Sequence, residues 1–438
     1  MKVFINMKKN NFILGAGITG LVGGFAAEIP IFEANGFPGG ICSSYYIKNA
    51  DNKVYTAPPD EECYRFEFGG GHWIFGSDTA VDSFSNAITF FKEYKRVSSV
   101  YFPDTNAYVP YPIQNNLRFL ESSIADKAVS EMSQQQGNCT TMKEWQQKVF
   151  GSTLCRLFFY PFHELYTAGF YDCIAPQDAY KSPVDLSAVK QGASEETAPI
   201  GYNTSFLYPG KGLDEFARGL SLKCNVNYNK RVIKIDPFKK EIIFNDSDRV
   251  TYDKLISTLP LNKMIEMTGL KINTTPDPYT SVLVLNIGAV RGDQCPDDHW
   301  LYIPHSESGF HRVGFYSNVD ESFLPESCRG KNDRVSLYIE RAFPGSLKPA
   351  PGKIKSYTGN VIKELKKWNF IKDVEVLDSS WVDVAYTWAW PNSEWKQTAI
   401  DMLKTHDIYQ IGRYGKWHFQ GIADSIRDGL SVPDLLNR

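Results

Sequence analysis

Residues 11–33, NFILGAGITGLVGGFAAEIPIFE, decide the fold. The apolar residues 12–14 predict a short buried strand, the small residues up to Ala27 predict a helix, and residues 29–32 predict a second strand. Between the first strand and the helix lies the sequence GAGITG, a G-x-G-x-x-G pattern. Its glycines permit a tight turn, a close approach of backbone to ligand, and close packing of the helix on the sheet.

The same stretch predicts a dinucleotide site. Glu33 ends the second strand, where an acid can accept hydrogen bonds from an adenosine ribose. The positive end of the helix dipole would face the phosphates. The alternative is an ordinary βαβ unit with a glycine-rich connection, which leaves Glu33 unexplained. The predicted contact residues are Gly15, Gly17, Ile18, Thr19, Gly20 and Glu33.

Bulk composition limits the function classes. The 438 residues predict about two domains, and an aromatic content of 14% indicates a lined cavity or an interface. A net charge of -3 argues against a general nucleic-acid binder. The eight cysteines form no C-x-x-C pair, so we expect neither a metal site nor a disulfide framework. With no signal-peptide pattern and no apolar run of about 20 residues, we expect a cytoplasmic protein without a membrane partner.

The order of predicted elements indicates an α/β protein with a second domain. Residues 8–78, 202–270 and 400–438 are predicted to form one discontinuous dinucleotide-binding domain. Residues 79–201 are predicted to be a mostly helical insertion, helix-like over 79–96 and with a mobile polar loop over 185–201. Residues 271–399 contain several predicted strands with short turns, which indicates an antiparallel sheet for the substrate.

Four segments together resemble a large group of FAD proteins that includes amine oxidases, protoporphyrinogen oxidases and UDP-galactopyranose mutases. These segments are the glycine fingerprint, Pro38-Gly39-Gly40, Leu259-Pro260 and Gly412-Arg413. The resemblance implies a Rossmann-type FAD-binding domain (GR2-like) beside an antiparallel-sheet domain with a helical insertion. The cofactor contacts that it implies are Gly15, Gly17, Ile18, Thr19, Gly20, Glu33, Gly39, Gly40, Gly71, His72, Val232, Gly412, Arg413 and Ile422.

Within that group, other segments look most like the mutases. Residues 70–75, GGHWIF, are similar to their G-A-H-I-F motif, and residues 166–171, YTAGFY, are similar to their Tyr-Thr-x-x-x-Trp segment. The resemblance implies catalytic roles for His72 and Arg312. It implies substrate contacts from Tyr166, Tyr171, Arg312, Tyr386 and Arg413.

The resemblance therefore implies a flavin-dependent mutase that interconverts the pyranose and furanose forms of a nucleotide-diphosphate sugar in polysaccharide synthesis. Reduced FAD would act as a covalent catalyst without net redox change, with NAD(P)H as a candidate reductant and a homodimer as a candidate assembly. Tyr171 stands where the mutases have a tryptophan, and the 185–208 region has no arginine where prokaryotic members carry one. These departures leave the sugar and the base open.

Other interpretations remain open at this point. An FAD oxidase or desaturase acting on an amine or an apolar ring would share the fold, and so would a catalytically idle nucleotide-binding relative. His72 could be a packed histidine bonded to backbone, and Arg312 could pair with a surface acid. Tyr166 and Tyr171 could be core residues at a helix end.

Overall fold

Helices and strands are interspersed along the described residues. The computed structural model describes residues 10–48, 53–58, 60–132, 138–177, 185–196 and 204–437. In those ranges the strands are β1 Asn11–Leu14, β2 Ile31–Phe32, β3 Ser44–Ile47, β4 Lys53–Val54, β5 Tyr64–Glu67, β6 Phe91–Lys95, β7 Ser98–Phe102, β8 Ala107–Pro110, β9 Ser205–Pro209, β10 Val226–Asn227, β11 Val232–Asp236, β12 Glu241–Phe244, β13 Arg249–Thr251, β14 Lys254–Ser257, β15 Tyr279–Arg291, β16 Trp300–Tyr302, β17 Arg312–Phe315, β18 Arg334–Pro344, β19 Ile371–Thr387 and β20 Ile408–Gln410. The α-helices are α1 Ile18–Ala27, α2 Thr79–Asn86, α3 Ser122–Glu131, α4 Met142–Leu154, α5 Tyr160–Tyr166, α6 Leu186–Gly192, α7 Leu213–Ser221, α8 Leu261–Thr268, α9 Tyr316–Val319, α10 Pro351–Lys367, α11 Trp395–Lys404, α12 Gly412–Gly415, α13 Ile422–Leu430 and α14 Val432–Asn437.

A parallel sheet carries the N-terminal βαβ unit. Its strand order is β10-β2-β1-β14-β20, and every neighbouring pair is parallel. The strands come from residues 11–32, 226–257 and 408–410, so distant parts of the chain complete one sheet. Helix α1 packs on α13 and α14, and a Cβ at Gly23 would lie 2.8 Å from Val432 Cγ2. The carboxyl ends of the strands meet at one edge, which is where ligands bind in such sheets.

A second, seven-stranded sheet belongs to the other domain. Its order is β19-β15-β18-β17-β16-β7-β8, and its pairs are antiparallel except for the parallel pair β16–β7. Strands β7 and β8 lie in the segment predicted to be mostly helical, and we did not predict them. Paired through β16, they extend the sheet under the helices that follow.

The prediction of a helix over residues 79–96 is wrong in its second half. Helix α2 is capped by Asp78, whose carboxylate accepts from Ala80 N and Val81 N at 3.0 Å each, and it ends at Asn86. Residues 91–95 instead form β6, which pairs antiparallel with β9. Long-range pairing therefore overrides the local helical pattern.

The helical insertion consists of α3, α4, α5 and α6, and the predicted capping box at its centre is confirmed. Glu144 N donates to Thr141 Oγ1 at 3.2 Å, and Thr141 N donates to the Glu144 carboxylate at 3.3 Å. The segment predicted to be a mobile polar loop, residues 185–201, contains the short helix α6 over residues 186–192, which is capped by Asp185 and buries Val189. Residues 197–201 of that loop lie outside the described residues.

Two kinds of feature are absent from the described residues. Among them, no helix combines the length and the apolar character needed to cross a bilayer. In the same ranges, no three potential His, Cys, Asp or Glu ligands come together as a metal site.

Candidate functional site

The glycine turn between β1 and α1 closes one end of a cavity of about 960 Å³. Gly15 has a φ of +96°, which residues with a side chain rarely adopt. A Cβ at Gly20 would lie 1.9 Å from the Gly15 carbonyl oxygen, so only glycine lets α1 start this close to the strand. Around Gly17 no atom lies within 4 Å of where a Cβ would be, and α1 has neither a side-chain cap nor an acid in its first turn. The turn is therefore an open cradle beside a helix N-terminus.

Glu33 binds backbone at the end of β2. Its Oε2 accepts from Ala16 N and its Oε1 accepts from Asn35 N, both at 2.8 Å. The side chain lines the cavity although the residue is 7% exposed. The carboxylate thus fixes the glycine turn and retains lone pairs toward the cavity.

A second glycine pair lies against the first. Gly39 N donates to Ala16 O at 2.7 Å, and Gly39 has a φ of +101°. A Cβ at Gly40 would stand 3.6 Å from Gly17 Cα. Both loops therefore present bare backbone to one strip of the cavity wall.

His72 follows a glycine bend that passes directly over β18. A Cβ at Gly71 would lie 2.3 Å from Tyr338 Oη, so the bend requires glycine there. His72 Nδ1 lies 3.0 Å from Gly70 O, and because a carbonyl only accepts, Nδ1 carries the proton and Nε2 is an acceptor. Burial lowers the pKa of His72 to about 4, assisted by the guanidinium groups of Arg413 and Arg312. His72 is therefore neutral at pH 7 and lines the cavity.

Arg312 pairs with a buried acid rather than with a surface one. Arg312 and Glu340 are register partners on β17 and β18, with Nη1 3.4 Å from Oε1. Burial by itself raises the pKa of Glu340, but Arg312 and His311 outweigh it and lower the pKa to about 2. The carboxylate is therefore charged, and it holds the guanidinium at the cavity wall.

Arg413 enters the same cavity from the opposite sheet. It follows Gly412 at the start of α12, directly after β20. Its Nη2 donates to Ala385 O at 3.0 Å and its Nη1 donates to Gln420 O at 3.4 Å. Its guanidinium carbon lies 5.4 Å from the centre of the Tyr386 ring.

An aromatic wall closes the other end of the cavity. The Tyr166 ring lies 4.7 Å from Tyr386 and 5.4 Å from Trp388, both edge to face. Tyr171 packs instead near Tyr160, with centroids 5.8 Å apart.

The cavity brings together most of the predicted site residues. Those that line it are Gly15, Gly17, Ile18, Thr19, Glu33, Gly39, Gly40, Gly71, His72, Tyr166, Arg312, Tyr386, Gly412, Arg413 and Ile422. Three predicted residues are not in its lining: Gly20, which packs on Gly15; Tyr171; and Val232, which pairs with Phe244 in a separate three-stranded sheet.

Several residues of the cavity lining are not among the predicted site residues. Tyr338 and Glu340 lie on one face of β18, where an acid directly after the mostly apolar residues 335–339 was the available signal. Gln146 and Trp388 line the cavity from α4 and from the end of β19, and nothing in the local sequence distinguishes them from ordinary helix and core residues.

No protein-family model matches the chain. The fold is similar to that of reduced UDP-galactopyranose mutase, with a TM-score of 0.83 and 22% identity over 98% of this chain and 96% of that one. It is also similar to a protoporphyrinogen oxidase candidate from Exiguobacterium sp. 255-15, with a TM-score of 0.70 and 12% identity over 98% and 99% of the two chains. Putrescine oxidase bound to putrescine gives a TM-score of 0.58 and 14% identity over 98% and 99%.

These similarities establish the fold. The chain has a Rossmann-type parallel sheet with a separate antiparallel-sheet domain, as the sequence predicted, and it shares this fold with the structures named above. The predicted likeness to the mutases and to the oxidases of the same structural group is confirmed at that level.

Proposed function

We propose that this protein is an FAD-dependent nucleotide-sugar mutase that interconverts the pyranose and furanose forms of a nucleotide-diphosphate hexose. The reaction breaks the anomeric bond to the diphosphate, opens the sugar ring and recloses it through another hydroxyl. The protein must therefore bind a cofactor, hold a charged leaving group and exclude water. The cavity contains residues suited to the first two tasks.

The residues present fit FAD. The glycine turn, the α1 N-terminus and Glu33 would hold the adenosine diphosphate half, because they combine bare backbone, a positive dipole end and a carboxylate. Gly39, Gly40, Gly71 and His72 would line the rest of the cofactor. Reduced FAD, when bound, supplies a nucleophilic ring nitrogen for the anomeric carbon, with no net redox change.

The observation that carries the proposal is the connection between the two arginines. Arg413 lies against the Tyr386 ring, and Tyr386 Oη lies 3.5 Å from Glu340, the acid paired with Arg312. Two guanidinium groups from chain segments 101 residues apart (413 − 312) thus share one neighbourhood of the cavity. A planar guanidinium group can donate two parallel hydrogen bonds to two oxygens of a diphosphate. Such binding suits a leaving group that must stay in the site until the ring has closed again.

His72 would act beside this clamp as a neutral group. A protonated imidazole would carry a third positive charge next to two guanidiniums, and burial opposes it. Its Nε2 would accept one hydrogen bond from the cofactor or the sugar. This would orient the reacting partners without drawing the diphosphate away from the arginines.

Incubation of the reduced, FAD-loaded protein with nucleotide-diphosphate hexoses tests the proposal. We expect furanose product by chromatography, no product with oxidised protein, and no stoichiometric use of oxygen or of NAD(P)H beyond the initial reduction. Oxygen consumption with an amine or an apolar ring substrate, and no isomerisation, would instead support the oxidase alternative.

A further inference from the structure

A groove of about 510 Å³, the basic groove, lies between the end of β18 and the start of α10. Three of its lining residues are cations and none is an acid: Arg341, Lys348 and Lys353. Its other lining residues are mostly apolar, among them Phe343, Leu347 and Ile354. This chemistry fits a partner that carries negative charge beside apolar groups.

The cations of the basic groove have no acid beside them. Arg341 Nη1 donates to Ser308 O at 2.8 Å, and its guanidinium carbon lies 4.8 Å from the centre of the Tyr357 ring. In the described ranges, no carboxylate lies within 4 Å of the charged nitrogens of Arg341, Lys348 or Lys353. The protein therefore leaves these three charges to solvent or to a partner.

The segment that contains the groove is strongly basic, although the whole chain has a net charge of -3. Residues 344–367 contain six lysines and one acid, Glu364. Glu364 is 3% exposed, and its carboxylate accepts from Glu307 N and Ser308 N at 2.8 Å each. The one acid of this segment is therefore buried, and only lysines carry charge at its surface.

The positive charge extends beyond the groove along the exposed face of α10. Two of the six lysines are paired at the C-terminal end of the helix, Lys366 with Asp373 at 3.5 Å and Lys367 with Glu307 at 2.6 Å. The other four are exposed and have no acid within 4 Å in the described part of the chain: Lys348, Lys353, Lys355 and Lys363. The last two of them on α10 that are farthest apart are separated by ten residues (363 − 353), or about 15 Å along the helix axis. This spread suits an extended anionic surface better than a single small anion.

An exposed leucine accompanies these charges. Leu347 is 62% exposed, and it lines the basic groove from the segment that joins β18 to α10. Lysines beside an exposed apolar side chain are typical of proteins that bind a bilayer from one side. The lysines then meet lipid phosphates, and the apolar side chain enters the boundary of the acyl chains.

We propose that the basic groove and the exposed face of α10 bind the surface of a membrane that contains anionic phospholipids. The expectation of no membrane partner, made from the sequence, concerned a spanning segment, and surface binding requires none. The lysines would bind the headgroups, and Leu347 would enter the bilayer beside them.

Membrane binding would leave the cavity of the candidate functional site free. Tyr338 and Glu340 line that cavity, whereas Arg341 and Phe343 line the basic groove. Successive side chains of a strand point to opposite faces, so the two sites lie on opposite sides of β18. The inference therefore goes beyond the proposed function and does not depend on it.

Vesicle flotation of the purified wild-type protein tests the proposal. The comparison is between vesicles of phosphatidylcholine alone and vesicles of equal parts phosphatidylcholine and phosphatidylglycerol. We expect binding only to the vesicles that contain phosphatidylglycerol. Binding should weaken when the salt concentration is raised from about 0.1 M to about 1 M, because the Debye length falls from about 10 Å to about 3 Å. Equal binding to both kinds of vesicle, or no binding to either, would overturn the proposal.

Two variants test the residues themselves. Lys348→Gln/Lys353→Gln/Lys355→Gln should bind the anionic vesicles at least about tenfold more weakly, because each lysine near an anionic surface contributes to binding. Leu347→Ser keeps the net charge and should weaken binding several-fold through the loss of apolar contact. Because all four residues are exposed, we expect the Tm of both variants to equal that of wild type. Unchanged vesicle binding by the triple variant would overturn the proposal.

The matched control removes three exposed lysines that lie outside the basic groove and outside α10: Lys223→Gln/Lys234→Gln/Lys331→Gln. It has the same net charge as the first triple variant, and it should bind within about twofold of wild type because distant charges are screened. Equal weakening in the control would mean that net charge alone drives binding, which would overturn the proposal. Binding of dodecyl phosphate or of polyglutamate in calorimetric titrations, without binding to vesicles, would also overturn it. Such a result would assign the face to a soluble amphiphile or to an acidic protein.

Discussion

Arg312 and Glu340 stand directly opposite each other on β17 and β18, and their side chains meet at 3.4 Å in the cavity wall. Glu340 is 3% exposed and therefore shielded from solvent, whereas the Arg312 side chain is 21% exposed. A buried ion pair contributes little net stability, yet removal of one partner leaves an uncompensated charge. The negative charge of Glu340 therefore compensates the positive charge of Arg312 inside the protein. Arg312 is the member of the pair that is available to a ligand.

Glu340→Gln is expected to lower the free energy of unfolding at pH 7 by about 3–5 kcal/mol, the usual cost of leaving one buried charge unpaired. The lowered pKa of Glu340, about 2 against an ordinary 4.5, means that its contribution is complete above pH 4.5 and is lost as the pH falls toward 2. Urea unfolding across that range should show the two proteins converging. A difference that stays constant from pH 7 to pH 2 would contradict the ion-pair account.

Arg312→Lys and Arg413→Lys are each expected to reduce turnover of the nucleotide sugar by about 100-fold or more. Lysine keeps the charge but cannot bind two diphosphate oxygens with a planar group. Steady-state assays with reduced protein measure the effect. Arg427→Lys is the control, because Arg427 pairs with Asp78 and Asp424 at the surface and should leave turnover unchanged. Full activity in both site variants would contradict the proposal that Arg312 and Arg413 bind the diphosphate.

Gly20→Ala and Gly17→Ala are expected to fail in different ways. A Cβ at position 20 meets backbone oxygen at 1.9 Å, so we expect lost stability and little folded protein. A Cβ at position 17 meets no protein atom within 4 Å, so the fold should persist while the methyl group blocks the cofactor. Circular dichroism and flavin absorbance separate the outcomes. Normal flavin content in Gly17→Ala would mean that FAD lies elsewhere.

The lowered pKa of His72 predicts a defined pH dependence. Between pH 6.5 and about 4, His72 binds a proton in the unfolded chain but not in the native protein. The free energy of unfolding therefore decreases as the pH falls through that range. His72→Asn can retain a donor toward Gly70 O and should flatten part of that slope. NMR titration of the His72 ring in wild type should show no protonation above about pH 5. A midpoint near 6.5 would contradict the burial that the structure shows.

Local sequence was sufficient for the βαβ unit because the close approach of Gly20 to Gly15 and the bond from Ala16 N to Glu33 are both made within twenty residues. The turn at Gly15, the close packing at Gly20 and the position of Glu33 all follow from that short segment. The capping box at Thr141 is local in the same sense, and it is confirmed.

Features that depend on which residues of neighbouring strands lie opposite each other could not be predicted from the sequence. Arg312 could be named as a candidate, but its partner Glu340 follows from how β17 aligns with β18. The local sequence of β6 predicts a helix, and the segment forms a strand because it pairs with the distant strand β9. Gln146 has the sequence pattern of an ordinary polar helix residue, and only the folded chain shows that it is buried in the cavity wall.

The parallel sheet obtains its last strand, β20, from residues 408–410, and the helix that packs on α1 begins at Ile422. A nascent chain that stops before residue 408 has the glycine turn but lacks the strand and the helix beside which Arg413 lies. We therefore expect such a chain to be unable to complete the cofactor cavity, so cofactor binding has to follow the synthesis of these later residues.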